Sequence, residues 1–179
     1  MSRGCACPVL TTARLTLAAH VTSDYQDLLD TWRDPVVVKY FGGVPSTSEE
    51  VWARLLRYGG LWPLMGYGYW AVRETATGRF VGEVGLAEFR REIEPSLIGT
   101  PEGGWVLASW AHGQGFAREA TEAMLAWTDT VLCARRTVCM IDPHNASSLA
   151  LAGKLGFRSF AESPYKGKPV VLLERAAPS

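Results

Sequence analysis

The stretch Trp105-Val106-Leu107-Ala108-Ser109-Trp110-Ala111-His112-Gly113-Gln114-Gly115-Phe116-Ala117-Arg118-Glu119-Ala120 limits the fold more than any other. Gly104 to Ala108 read as a strand. From Ala117 onward the apolar residues Ala117, Ala120, Met124 and Trp127 return at helical spacing, with Arg118, Glu119, Glu122 and Asp129 off that face. A strand that runs through a glycine-bearing loop into a helix gathers the unpaired amides of the first helical turn at one point, with the positive end of the helix dipole behind them. Such a point binds phosphate. Gly115 and Ala117 carry no side chain that would hold a pyrophosphate away from the backbone. The same glycines also suit an ordinary strand-to-helix turn, where they supply left-handed dihedrals, so the loop alone leaves both readings open. A dinucleotide fingerprint fits poorly. Arg118 stands where its third small residue belongs, and an antiparallel hairpin precedes the loop.

The elements around this loop follow from period and punctuation. Arg14 to Ala18 alternates as a short strand. Thr22 or Ser23 caps a helix whose apolar face is Tyr25, Leu28, Leu29 and Trp32, ended by Asp34-Pro35. A second helix starts at Ser46 to Glu50, carries Val51, Leu55 and Tyr58, and is expected to stop at Gly59-Gly60. Tyr67 to Arg73 and Arg79 to Phe89 read as a hairpin turning at Thr75-Ala76-Thr77-Gly78. A polar loop, Glu92 to Pro101, leads to the third strand of that group. Thr137 to Ile141 is a nearly continuous apolar strand, a helix bearing Leu149, Ala152 and Leu155 follows, and Phe157 to Phe160 and Val170 to Leu173 close the chain as strands. The expectation is α/β, with a central mixed, mostly antiparallel sheet of about six to seven strands flanked by helices, because a strand joined to the next through a helix usually runs parallel to it.

Length and composition exclude several classes. A chain of 179 residues predicts a single domain over 1–179, with flexible ends near 1–10 and 176–179. Eighteen Lys and Arg balance eighteen Asp and Glu, which gives no electrostatic drive toward nucleic acid or an anionic membrane. No apolar run reaches the roughly 18 residues of a membrane span, and the first residues lack the apolar centre of a signal peptide, so a cytoplasmic protein is expected. Cys5, Cys7, Cys133 and Cys139 then read as thiols, and one Cys-x-Cys is half a metal site at best. His20, His112 and His144 are too scattered to suggest a metal, and none is expected.

A second constellation lies where the strand ending at Asp142-Pro143 meets the helix beginning near Asn145. Asn145 and Ser148 stand three residues apart and project together, although Asn is also a preferred N-cap. With both motifs in order, the sequence resembles the GNAT family of acetyl-CoA-dependent N-acetyltransferases, especially its ribosomal-protein N-terminal (RimJ/RimL) branch. The likeness covers nearly the whole chain. The pyrophosphate loop stands as His112-Gly113-Gln114-Gly115-Phe116-Ala117, with His in place of the usual leading Gln or Arg. The second motif stands as Asn145-Ala146-Ser147-Ser148 with Leu155-Gly156-Phe157.

The resemblance implies transfer of an acetyl group from acetyl-CoA directly to a primary amine, without a metal. It implies that Val106, Leu107, Ala108 and residues 112–117 hold the cofactor, that Asn145 bonds the pantetheine arm, and that Ser148 protonates the leaving thiolate, no Tyr being present in that helix. The amine's proton needs a site, which a carboxylate could supply directly or through water. Glu102 stands about where the family's base sits, and Glu83 is its rival. Trp32, Tyr40 and Tyr69 are candidates for the acceptor cleft, though aromatic residues most often mean core. Arg118, Lys154 and Arg158 could meet the CoA 3′-phosphate, with a solvated surface the plainer reading. The partners implied are acetyl-CoA and an amine acceptor, with a homodimer open and neither nucleic acid nor membrane expected. Two alternatives stand beside catalysis: an acyl-CoA-binding sensor without turnover, and a nucleotide-binding regulatory module.

Overall fold

The computed structural model describes residues 6–178. The sheet has eight strands in the order β1 (Leu10–Thr11), β2 (Leu15–Ala19), β3 (Tyr69–Glu74), β4 (Phe80–Ala87), β5 (Glu102–Leu107), β6 (Arg136–Ile141), β8 (Lys168–Ala176), β7 (Arg158–Tyr165). It is mixed: β5 and β6 run parallel, with Glu102 opposite Val138, while β1–β2, β2–β3, β3–β4, β6–β8 and β7–β8 are antiparallel. The additional strand relative to expectation is the two-residue β1, which pairs with β2. Residues 1–5 and 179 of the ends expected to be flexible lie outside the described residues. The carbonyl of Pro8, within the same end, accepts a hydrogen bond from the Trp70 indole at 2.8 Å. The chain divides into two compact units, residues 1–85 with 105–124 and residues 86–104 with 125–179.

In the first unit, α1 (Tyr25–Arg33), α2 (Pro35–Val38) and α3 (Ser48–Met65) follow β2. Asp34 ends α1 with ψ 118 and then caps α2, its Oδ1 accepting from the Val36 amide at 2.9 Å. Proline at the first position of α2 costs nothing, because its missing N–H would have been unpaired there. Thr47 and Glu50 form the capping box that starts α3. The helix does not stop at Gly59-Gly60 but runs to Met65, and Gly66 at φ 76 caps it. Gly59, Gly60 and Pro63 all lie in its interior, each disfavoured there by local propensity. Continuing buries Trp62 on the face already carrying Val51, Leu55 and Tyr58, a tertiary contact that propensity does not register. Leu28, Leu29, Trp32, Val38, Val51, Leu55, Phe80 and Val106 form the core of this unit.

Two glycines of β4 admit close neighbours. A Cβ on Gly82 would run into the Val106 carbonyl and lie 2.7 Å from Leu107 Cα; one on Gly85 would run into the backbone of Tyr69. Glu83, between them, is therefore held on a strand packed more tightly than any larger residue at those two positions would allow.

The second unit is built on β6, β7 and β8 with α5 (Ala146–Lys154). Ile93, Leu97, Val138, Val170 and Leu172 form its core. Arg175 on β8 holds Asp129 through two bonds of 2.8 and 2.7 Å, which fixes the π-helical turn Thr128–Leu132.

Candidate active site

The helix after β5, α4 (Phe116–Trp127), follows a short 3-10 turn at Ser109–Ala111 and the loop 112–115. Gly113 and Gly115 take φ 75 and 80, so each supplies a left-handed turn that a larger residue would strain to adopt. A Cβ on Gly113 would meet nothing within 4 Å, whereas one on Gly115 would lie 3.4 Å from Arg14 Nη2. The backbone at Gly113 is therefore open, as a pyrophosphate cradle requires, and Gly115 lies beside a cation. His112 turns its ring back, Nε2 lying 3.0 Å from the Leu107 carbonyl, and Gln114 bonds the Trp110 carbonyl at 2.7 Å. Val106 and Leu107 are buried, and the Ala108 amide bonds the Val81 carbonyl at 3.0 Å.

Arg14, which the sequence reading treats only as a strand residue, braces this loop. It bonds the Gln114 carbonyl at 3.0 Å, pairs with Glu119 at 2.7 Å and stacks on the Phe116 ring at 4.5 Å. Burial pushes the Glu119 carboxyl up, but bonds from Thr12 and Arg14 outweigh it and hold the group below its ordinary value. Asp34 is tied by a short hydrogen bond from Ser109 Oγ, which joins the α1–α2 corner to the turn before the loop. That bond, followed by the Val36 amide, lowers the Asp34 carboxyl.

In the second unit, Asn145 caps α5, its Oδ1 accepting from the Ser148 amide at 3.1 Å. The cap uses the oxygen of the side-chain amide. Its NH₂ is a separate pair of donors, so capping and holding a pantetheine carbonyl are compatible. Arg118 is engaged with Glu122 at 2.7 Å in an exposed pair.

Both candidate bases are buried, in different settings. Glu102 Oε1 and Oε2 each accept from Arg91 at 2.8 Å, and Arg91 also donates to the Tyr165 hydroxyl at 3.0 Å. Burial pulls the Arg91 guanidinium down, but the bond and charge of Glu102 outweigh it and hold it above its ordinary value. Burial, then the charge of Glu102, pushes the neighbouring Cys139 thiol up. Glu83 is fully enclosed at 0% exposure. Its Oε1 accepts from the Tyr58 hydroxyl at 2.6 Å, while Oε2 has no hydrogen-bond partner among the described residues. Burial, then the charge of Glu83, raises Tyr58 well above its ordinary value, so the phenol stays a neutral donor.

Of the aromatic candidates, Tyr69 stacks on Tyr58 with centroids 4.5 Å apart. Trp32 carries the Arg54 guanidinium 3.5 Å over its ring, and Arg54 reaches the Tyr58 hydroxyl at 3.4 Å. Trp32 and Tyr69 thus join one cluster around Tyr58. Tyr40 is half-buried beside Lys39, whose Nζ lies 5.1 Å from its ring. Tyr58 and Arg54 were legible only as helix residues, because what brings them to Glu83 is the packing of α3 on β4. Among the described residues, no group of three or more His, Cys, Asp or Glu could hold a metal ion, and no helix is long and apolar enough to cross a membrane.

A strand, a glycine loop with bare backbone opening a helix, and a capped helix after the next strand define the layout of an acyl-CoA-dependent transferase. The acetyltransferase (GNAT) domain matches residues 14–158, and the chain belongs to that family. It is 32% identical to a Bordetella pertussis structure assigned to the GnaT-family acetyltransferases, with a TM-score of 0.84 and coverage of 94% of this chain and 99% of that one. It is 25% identical to an acetyltransferase from Agrobacterium tumefaciens, with a TM-score of 0.81 and 94% of both chains covered. An uncharacterised N-acetyltransferase, p20, from Bacillus licheniformis is 27% identical over 83% of this chain and 82% of its own. The fold alone is shared with a Vibrio cholerae spermidine N-acetyltransferase and a Vibrio fischeri ribosomal-protein-S5-alanine acetyltransferase, each 18% identical, with TM-scores of 0.73 and 0.71. The protein is an acetyl-CoA-dependent acyltransferase.

Proposed function

We propose that residues 1–179 act as one cytoplasmic N-acetyltransferase domain that moves the acetyl group of acetyl-CoA directly to a primary amine, without a metal. The single observation that carries the base assignment is the enclosed Glu83 carboxylate, with one oxygen fixed by Tyr58 and the other unpartnered. The thioester supplies an activated acyl carbon; the chain's residues supply place and protons. Backbone amides at 113–117 hold the pyrophosphate, Arg14 keeps the Glu119 charge neutralised at that helix start, and the Asn145 NH₂ bonds the pantetheine arm. Glu83 Oε2 accepts a proton from the amine as it attacks, the Ser148 hydroxyl gives its proton to the departing thiolate, and the proton taken by Glu83 leaves to solvent water, which reprotonates Ser148. Glu102 is the rival base, but a carboxylate with both oxygens bonded to one guanidinium is a weak proton acceptor, because protonation would break a bidentate ion pair.

The fold does not choose the acceptor, since neighbours of the same fold are named for a polyamine and for a ribosomal protein. The RimJ/RimL branch is supported by the Asn145–Ser148 and Leu155-Gly156-Phe157 motifs, and the acceptor is taken up below. A homodimer is compatible with this reading, and the balanced charge supports neither nucleic acid nor membrane as partner.

Acetyl transfer is tested by thiol release from acetyl-CoA across a panel of amines, with mass spectrometry of the products. Gly115→Glu is expected to abolish CoA binding by calorimetry, because a carboxylate at the cradle repels the phosphates. Unchanged CoA affinity in a folded Gly115→Glu protein overturns the loop assignment.

A further inference from the structure

Buried polar side chains are normally satisfied, so a cluster that is not marks a place built for something else. In the first unit such atoms fall together: Glu83 Oε2, Arg54 Nε, Trp32 Nε1 and His20 Nε2 are buried without a hydrogen-bond partner among the described residues. They are joined through one phenol. The Tyr58 hydroxyl lies 2.6 Å from Glu83 Oε1 and 3.4 Å from Arg54, and its ring stacks on His20 at 5.0 Å. Arg54 also lies 3.5 Å over the Trp32 ring, and each carries an unpartnered N–H donor, its own Nε and the indole Nε1. Among the described residues Arg54 has no carboxylate within ion-pair distance. The charge of Glu83 acts on Arg54 across the Tyr58 hydroxyl, but no described carboxylate bonds it directly, and its Nε is a buried donor left unfilled.

Resting on the acetyltransferase reading above, we infer that the acceptor is a small primary amine bearing its own carboxylate, of the amino-acid class, with the amine received at Glu83 and the carboxylate at Arg54 and the Trp32 indole. The atoms left unpaired are a carboxylate oxygen at one end and donors at the other, with one hydroxyl bonded to both ends. A ligand that satisfies both ends is positive at one end and negative at the other over the length of a few bonds. A polyamine offers only donors and leaves Arg54 Nε and Trp32 Nε1 unfilled. A protein N-terminus presents a neutral amide carbonyl in place of the carboxylate, a weaker acceptor for the Arg54 guanidinium.

The test uses the full chain with acetyl-CoA and four acceptor types: free amino acids, their methyl esters, spermidine, and short peptides, with kcat and KM measured for each. Free amino acids are expected to be preferred, with KM at least about tenfold below that of the matching ester, the scale of one charged hydrogen bond. Arg54→Met is expected to close the gap in KM between acid and ester, and Arg54→Lys to restore part of it. Equal constants for acid and ester in the wild-type protein, or a preference for spermidine or peptides, overturns the inference while leaving acetyl transfer intact. An Arg54→Met protein that loses acid and ester alike overturns the role of Arg54. Failure of every amine class to release thiol, with CoA bound, overturns instead the acetyltransferase reading on which the inference rests. The acid-against-ester comparison needs no variant, so a misfolded Arg54→Met leaves the inference open to refutation.

Discussion

Glu83 and Glu102 are both enclosed carboxylates on sheet strands, yet their surroundings differ in kind. Glu102 sits in the second unit with both oxygens bonded to Arg91, which is itself anchored to Tyr165. Glu83 sits in the first unit with one oxygen bonded to Tyr58 and the other unpartnered among the described residues. Burial is common to both, so burial alone does not decide which carboxylate takes the amine's proton in the proposed reaction. What distinguishes them is how many lone pairs the protein itself has filled.

The largest effect expected from this contrast is on rate. Glu83→Gln keeps the shape and the Tyr58 bond but cannot take a proton, and is expected to lower kcat by about 10²-fold or more with the melting temperature nearly unchanged. Steady-state kinetics beside calorimetry check both halves. Glu102→Gln is expected to do the reverse: about 3 kcal/mol of stability is lost, because Arg91 is left buried with half its partner gone, while kcat per folded molecule stays within a few-fold. Denaturant unfolding measures this, and a rate loss at full stability would exchange the two roles.

A smaller effect concerns a third buried carboxylate. Burial pushes Asp24 up, but the His20 ring 3.5 Å away, the Val21 amide and Arg73 outweigh it and hold the group below 3.8. A folded value below the unfolded one means that this stabilisation is complete above the unfolded value and is lost as pH falls through the folded one. Asp24→Asn is therefore expected to cost about 1 kcal/mol at neutral pH, discounted because Arg73 is partly exposed, and to flatten the fall in stability below about pH 4. An unaltered acid limb in thermal melts at pH 3 to 6 would remove Asp24 from the pH dependence.

The same contrast explains what was legible in the sequence. The glycine loop and the Asn145 cap are local devices. Their chemistry lies in backbone amides and a three-residue spacing, so Gly113, Gly115, Asn145 and Ser148 could be read before any tertiary contact was known. The mixed sheet followed from the change of period at Phe116 and the crossover into β6. The cluster proposed to receive the acceptor is assembled from the residue just after β2 and from α1, α3 and β4, and nothing in the spacing of His20, Trp32, Arg54, Tyr58 and Glu83 brings them together. Glu102 was placed by its distance from the loop, and sequence distance carries no information about Arg91, which arrives from the polar loop before β5. The helix α3 runs past Gly59-Gly60 for a related reason: the burial of Trp62 is a tertiary contact that local punctuation does not show.

The most direct test of the Glu83 assignment is the pH–rate profile of kcat/KM for wild type, Glu83→Gln and Glu102→Gln, measured with one acceptor amine. The account predicts that the Glu83→Gln deficit is largest at neutral pH and shrinks as pH rises toward the range where the free amine is already unprotonated, while Glu102→Gln keeps the wild-type shape. A Glu83→Gln profile parallel to that of the wild type at every pH, or the shrinking deficit appearing in Glu102→Gln instead, would contradict it.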